Sequence, residues 1–474
     1  MAATSTRPEL AYASAAGRWV LVATTLGAAL AFLDLTVVNL ALPTIGRDLH
    51  AGFSTLAWTV NAYALTLSSL ILFGGSLGDL LGRRRIYVIG VIWFAVASLA
   101  CALAPTIEVL VLARAVQGVG AALLTPGSLA IIEASFRRSD RGAAIGAWSG
   151  LGGIAGAAGP FLGGYLIGAS SWRAIFLINL PIAAAVVVIA ARHIPETRNP
   201  RAGAHGLDYG GAALCALGLA GTTYALGQGS ENGWTSPIEL AAGLGGVASL
   251  VAFFRVETRV PHPMLPLRLF RSSQFSAANA VTFVVYAALS GQLFLLPTEL
   301  QEVVGYSPLE AGAALVPTTV VMLLLSPRTG RLAQRIGPRA PMTIGPLLAA
   351  GGMLMLARIG VHASYPATIL PAVLVFALGL SLTVAPLTTT VLAAASDDHA
   401  GIASATNNAI ARVAGLLAVA VIPTAVGIGG FSYLDAEAYS TGFRRAIVVC
   451  AALCAAGGAI AGILIRNDVL PHSD

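Results

Sequence analysis

Asp34, Arg114 and Arg412 each fall well inside a long apolar run of the sequence. A charge at such depth in hydrocarbon costs on the order of 2.5–3.5 kcal/mol by insertion scales, so an ionisable residue there marks a functional position. Asp34 is the acid of the three and the candidate to take up and release a proton. It follows Arg18 by 16 residues, roughly 24 Å of helix. Arg114 lies about eight residues into its own run from the opposite surface, which puts acid and base at a common depth of about 12 Å. Equal depth allows an ion pair if the two helices are neighbours. The guanidinium favours the charged carboxylate and burial favours the neutral acid, so a movement that alters their balance loads and discharges a proton. The plain alternative is a static pair that only fixes packing. Arg412 sits about 12 residues into its run, too deep to reach the surface easily. With Asn407 and Asn408 beside it, it reads as a cavity-lining or inter-helix donor.

Such residues need apolar helices to hold them, and the composition supplies little else. Of 474 residues 57% are hydrophobic and only 10% charged, and 53 are glycine. Soluble domains carry about 25% charge. So little charge cannot clothe a water-facing surface, which excludes a soluble enzyme and a nucleic-acid partner and leaves the lipid bilayer as the solvent. All 27 basic residues are arginine. Without lysine there is no phosphate-binding P-loop and no Schiff-base chemistry. Cys101, Cys215, Cys450 and Cys454 all lie in apolar runs and read as inert packing residues. The seven histidines scatter near loops, with no metal-spaced pair and no Gly-x-Ser-x-Gly run. No metal, no cofactor and no enzymatic activity are expected.

A helix needs about 20 residues to cross the hydrocarbon. Fourteen runs qualify, at 18–42, 53–74, 86–104, 107–132, 142–167, 173–192, 209–227, 238–256, 274–298, 310–327, 341–360, 367–392, 400–426 and 445–465. An even count leaves both termini on one side. Sorting the arginines by loop puts 20 on that side and 5 on the other, with Arg114 and Arg412 inside spans. By the positive-inside rule the arginine-rich side, and both termini, are cytoplasmic in a plasma membrane.

Two arginine-rich loops resemble each other. Gly75-Ser-Leu-Gly-Asp79-Leu-Leu-Gly82-Arg83-Arg84 and Gly330-Arg-Leu-Ala-Gln334-Arg-Ile-Gly337-Pro-Arg339 stand 255 residues apart, after the second and tenth runs. Two six-helix halves separated by an inserted pair give that offset, as a parallel repeat about an axis along the membrane normal. The expected division is a segment 1–17, a first half 18–192, a linker with two extra helices 193–273, a second half 274–465 and a tail 466–474. In the fifth run Gly146, Gly150, Gly153, Gly156 and Gly159 recur near helical spacing, followed by Pro160, Gly163 and Gly164. Small residues let backbones approach and slide, and the proline bends the helix.

The loop from Gly75 to Arg85 is similar to the loop motif of the major facilitator superfamily. Arg114-Ala-Val-Gln117-Gly118-Val-Gly120 resembles its fourth-helix motif, and Gly150 through Gly164 its antiporter motif. Leu33-Asp34-Leu-Thr-Val-Val-Asn39-Leu-Ala-Leu-Pro43, Trp58-Thr-Val-Asn-Ala-Tyr63, Ser171-Trp172-Arg173 through Asn179-Leu-Pro181, and Gly305-Tyr306-Ser307-Pro308-Leu-Glu-Ala-Gly312 resemble the fourteen-helix drug:proton antiporter branch. The ordered set covers most of the chain. The resemblance implies an all-α major facilitator fold of fourteen transmembrane helices, two six-helix halves plus an inserted pair. It also implies a proton-coupled exporter of amphipathic drugs or secondary metabolites, working as a monomer by alternating access. A symporter importing a small solute on the same fold is the nearest alternative, and a non-transporting receptor or scaffold a more distant one.

On this reading Asp34 and Arg114 couple the proton. Asn39, Trp58, Tyr63, Gln117, Tyr286, Gln292, Asn407 and Arg412 line the substrate cavity. Gly75, Asp79, Gly82, Arg83, Arg84, Gly150, Gly156, Gly159, Pro160, Gly163 and Gly164 serve the conformational change, with Asp79 latching the halves together. Trp148, Phe283 and Phe294 are further aromatics that could stack on a flat substrate, although lipid-facing positions are the commoner use of such residues. Glu133, Glu299 and Glu302 fall near span ends and are expected in solvated or interfacial positions, with a cavity as the alternative for Glu299.

Overall fold

The computed structural model describes residues 10–198, 208–260, 263–395 and 400–469. The ends of the expected terminal segments, and Arg201 of the linker, lie outside them. The first group of helices comprises α1 (Ala15–Asp48), α2 (Phe53–Leu81), α3 (Arg83–Ala102), α4 (Ile107–Ser135), α5 (Arg138–Ala169), and the short α6 (Ala174–Leu177) continued by α7 (Asn179–His193). Next come α8 (Tyr209–Asn232) and α9 (Pro237–Glu257). The second group is α10 (Ser273–Thr298), α11 (Pro308–Ile336), α12 (Arg339–Leu356), α13 (Leu370–Ala393), α14 (Ala400–Ala425) and α15 (Ala436–Leu464).

Among the described residues twelve helices are long and apolar enough to cross a membrane, against the fourteen expected. The fifth and eleventh runs do form helices, α5 and α12, but neither is among the twelve. Several helices outrun their apolar windows. In α1 the helix continues past the run to Asp48, with Pro43 inside it.

Packing follows the repeat. α1 lies against α5 and α7, α3 against α4 and α7, and α2 against α4. In the second group α10 lies against α14 and α15, α12 against α13 and α15, and α11 against α13. The repeated loops share their turn. Gly82 (φ 118°) ends α2 and Gly337 (φ 87°) ends α11. Only glycine adopts such a φ without strain. Each turn also sits under a side chain from the end of its own group. Glu196 accepts the backbone N–H groups of Arg84 (3.2 Å) and Arg85 (3.1 Å), and Asn467 accepts that of Arg339 (3.1 Å). These are the unpaired donors of a helix N-terminus.

The groups cross at α5–α11 and α2–α14. α8 packs on both α2 and α14, and α9 packs on α8, so the inserted pair lies over one seam. Trp58 of α2 faces Tyr224 of α8 with ring centroids 6.1 Å apart. One apolar core joins both groups at the arginine-poor end, taking in Phe53, Trp172, Phe294 and Tyr439. A second core, from Val20 and Leu21 to Ile194, belongs to the first group, with Ala409 of α14 against its edge.

Candidate functional site

α1, α3, α4 and α7 meet around a polar cluster sunk in the first group. Asp34 is 4% exposed and Arg114 fully buried. Arg114 Nη1 donates to Asp34 Oδ2 and, at 2.6 Å, to Gln117 Oε1. Its Nε donates to the Thr59 carbonyl at 2.9 Å. Gln117 sits one turn along α4 from Arg114. Its Nε2 donates to Asp34 Oδ1 (3.0 Å) and to Ser98 Oγ (2.7 Å), while Asn179 Nδ2 donates to the same Ser98 oxygen (3.0 Å). Both carboxylate oxygens are therefore held, as a buried ion needs. The Tyr63 ring lies 4.3 Å from the guanidinium carbon, a cation–π contact. Asp34 and Asn179 also line a small cleft between α1, α5 and the α6–α7 break, with Leu33, Val37, Gly163, Leu166 and Ile178.

The structure redistributes the expected cavity residues. Gln117 holds the Asp34–Arg114 pair and is fully buried, so it is not free to line a cavity. Tyr63 is likewise fully buried beneath Arg114. Gln292 is 1% exposed. Arg412 on α14 has no carboxylate partner among the described residues, and its buried Nε has no hydrogen bond. Its helix packs on α2 of the first group and on α10 of the second. Asn407 donates to Asn279 Oδ1 (3.0 Å) and Thr282 Oγ1 (2.7 Å) of α10. Asn39 is half-buried, with its carbonyl oxygen unpartnered. Trp58 faces α8, and Phe283 is exposed. Phe294 packs on Phe53 in the shared core.

Asp79 Oδ1 accepts Arg83 Nε at 2.8 Å, within its own group, where a latch between halves was expected. The link across the groups is at the opposite end. Gln301 Nε2 donates to the Leu40 carbonyl (2.9 Å), Tyr433 donates to that of Ala51 (3.0 Å), and Arg47 pairs with Glu302 (3.0 Å). α5 and α11 touch through bare backbone. A Cβ on Gly312 would fall 2.2 Å from the Pro160 carbonyl, and one on Gly164 2.5 Å from that of Pro308. Gly159 and Gly163 face Thr36 and Val37 of α1. Gly150 and Gly156 lie within α5. Gly75 faces Pro126 of α4.

Glu299 and Glu302 depart from expectation. Glu299 is fully buried and Glu302 is held under Arg47, whereas Glu133 is exposed as expected. Both lie near a π-helical turn, Glu299–Val303, that ends α10. The wider turn rotates their side chains off the α-helical register and into the interface. Sequence reasoning also missed Ser98 and Thr59.

Residues 24–419 match the Major Facilitator Superfamily. The chain belongs to that superfamily. It is 36% identical over 403 residues to the multidrug resistance protein Stp of Mycobacterium tuberculosis, covering 85% of this chain and 74% of that protein. It is 35% identical to the methylenomycin A resistance protein of Bacillus subtilis, covering 89% and 90%. It is 32% identical to the tetracenomycin C resistance and export protein of Streptomyces glaucescens, covering 85% and 74%. A bacterial homologue of the human lysosomal transporter Spinster, solved inward-facing and unoccupied, superposes with a TM-score of 0.67 at 18% identity, covering 95% of this chain and 97% of that one. The superfamily fold, all-helical and multi-pass, is thus shown.

Proposed function

We propose that this chain is a secondary active exporter of small amphipathic organic compounds, drugs or secondary metabolites, driven by inward proton flow. The observation that carries the proposal is the buried Asp34–Arg114 pair, cross-braced by Gln117. An ion pair so deep is poised between two states: charged and paired, or protonated with the guanidinium released to other acceptors. The resistance and export named for its relatives sets the direction as efflux. In this scheme cargo enters between the groups from the arginine-rich end. The present contacts close the arginine-poor end. A proton from outside then loads Asp34 and drives the return; one charge crossing 100 mV supplies about 2.3 kcal/mol. Cargo and proton must therefore favour different states.

The scheme takes the arginine-rich side and both termini as cytoplasmic, fourteen crossings including α5 and α12, the plasma membrane as location and a monomer as the working unit. Its halves are 18–192 and 274–465, joined by the inserted pair. Nucleic acid and catalysis have no part in it. The test is ethidium efflux in inverted vesicles with and without a pH gradient. D34N should accumulate at wild-type levels yet lose uphill transport; gradient-driven efflux by D34N overturns the assignment. Uptake in right-side-out cells together with no efflux would favour the symporter.

A further inference from the structure

Glu299 is a buried acid that the export scheme leaves unused. It is 0% exposed and opens the π-helical turn at the closed end. Its Oε1 accepts Ser440 Oγ at 2.9 Å, and its Oε2 is enclosed with no partner. No arginine among the described residues reaches it as an ion pair. Arg444, one turn along α15 from Ser440, directs Nη2 to the Ile359 carbonyl at 3.4 Å. Tyr439, also on α15, donates to the Leu295 carbonyl (3.0 Å), and Tyr433 to that of Ala51 (3.0 Å). On its own turn Glu302 is taken by Arg47 of α1, and on α11 Glu310 caps Ser307. An ionised carboxylate removed from water with a single hydroxyl donor and no cation is costly; the neutral acid is not. The same turn closes the molecule, because Gln301, two residues on, is bonded to the Leu40 carbonyl.

We propose that Glu299 is a second proton-binding site, separate from Asp34, which holds its proton while the arginine-poor end is closed and gives it up when that end opens. On opening, the O–H bond of the acid breaks, the electron pair stays on the carboxylate, and an external water takes the proton. Closure reverses the step. The closed state binds the extra proton, so raising the pH favours the open state, by up to about tenfold in the open-to-closed ratio per pH unit for one proton. The proposal rests on the alternating-access reading and is independent of the cargo.

The test places spin labels at E108C and E437C, exposed positions in the first turns of α4 and α15 on opposite groups. The background is C215A, and the protein is held in lipid nanodiscs. Double electron–electron resonance then follows the distance across the gate with pH. A wide-distance population that grows with pH in the parent chain and in D34N, and that E299Q makes independent of pH, establishes the site. An E299Q profile superimposable on the parent overturns it, as does a parent distance that ignores pH. The isosteric glutamine retains the acceptor for Ser440, and thermal denaturation of E299Q checks its fold. Ethidium export by D34N is scored separately, so failure of the Asp34 assignment leaves the gate titration standing or falling by itself.

Discussion

The two groups of helices share a packing plan and differ in how they treat buried charge. In the first, Asp34 and Arg114 neutralise each other, and Gln117, Ser98, Asn179 and Thr59 complete a bonded cluster. In the second, among the described residues, the half-buried Arg412 has no acid and the buried Glu299 no base. The same architecture therefore holds a mutually neutralised pair on one side, although Arg114 Nη2 has no acceptor, and two lone ionisable groups on the other. Paired charges favour one arrangement, whereas a lone charge or acid leaves its element sensitive to what arrives beside it.

The sharpest way to break this contrast is truncation of each arginine. R114M strands a carboxylate in the interior, and loss of one partner of a buried pair costs about 3–5 kcal/mol. It should lower the detergent melting temperature markedly, and D34N/R114M should recover part of the loss. R412M removes a guanidinium that has no pairing to lose, so its melting temperature should stay equal or rise while ethidium export falls. If both single variants lose equal stability, the contrast is wrong.

Next in size is the α5–α11 crossing. G312A puts a methyl against the Pro160 carbonyl, and overpacking of this kind costs about 1–3 kcal/mol. We expect normal membrane insertion with export reduced severalfold. Export unchanged in G312A would show that the helices separate without strain.

The loop caps sharpen the comparison at smaller scale. Glu196 serves two backbone donors of α3 and a third at Thr197, whereas Asn467 serves one. Removal of a cap costs about 0.5–2 kcal/mol, so E196A should destabilise more than N467A in a thermal melt. Smallest is R47Q. Arg47 is 54% exposed although Glu302 is only 10%, and a pair with one solvated partner contributes little, about 0–1 kcal/mol. It should shift the melting point little, with any shift vanishing in high salt.

Much of this was readable beforehand, for identifiable reasons. Asp34 and Arg114 could be matched because depth follows from residue number along a helix. Gln117 was picked out but assigned to a cavity, since sequence gives depth and not azimuth. Ser98 is a single hydroxyl in an apolar helix, and Thr59 serves through its main-chain carbonyl, a role that no residue type signals. Glu299 stands one residue past its apolar run, and run length alone does not show that a π-helical turn carries the helix on into the interface. The Gly82 and Gly337 turns were visible as a repeat, yet their caps Glu196 and Asn467 come from distant segments.

α8 is clamped across the α2–α14 seam, touching both helices, while among the described residues no helix straps the α5–α11 seam in the same way. The two flanks of the molecule are therefore mechanically unequal. Parting on the strapped flank requires α8 to slide over one neighbour and take α9 with it. The bare flank yields by backbone slippage alone. Rocking of the halves becomes lopsided, with the inserted pair setting the stiffer edge.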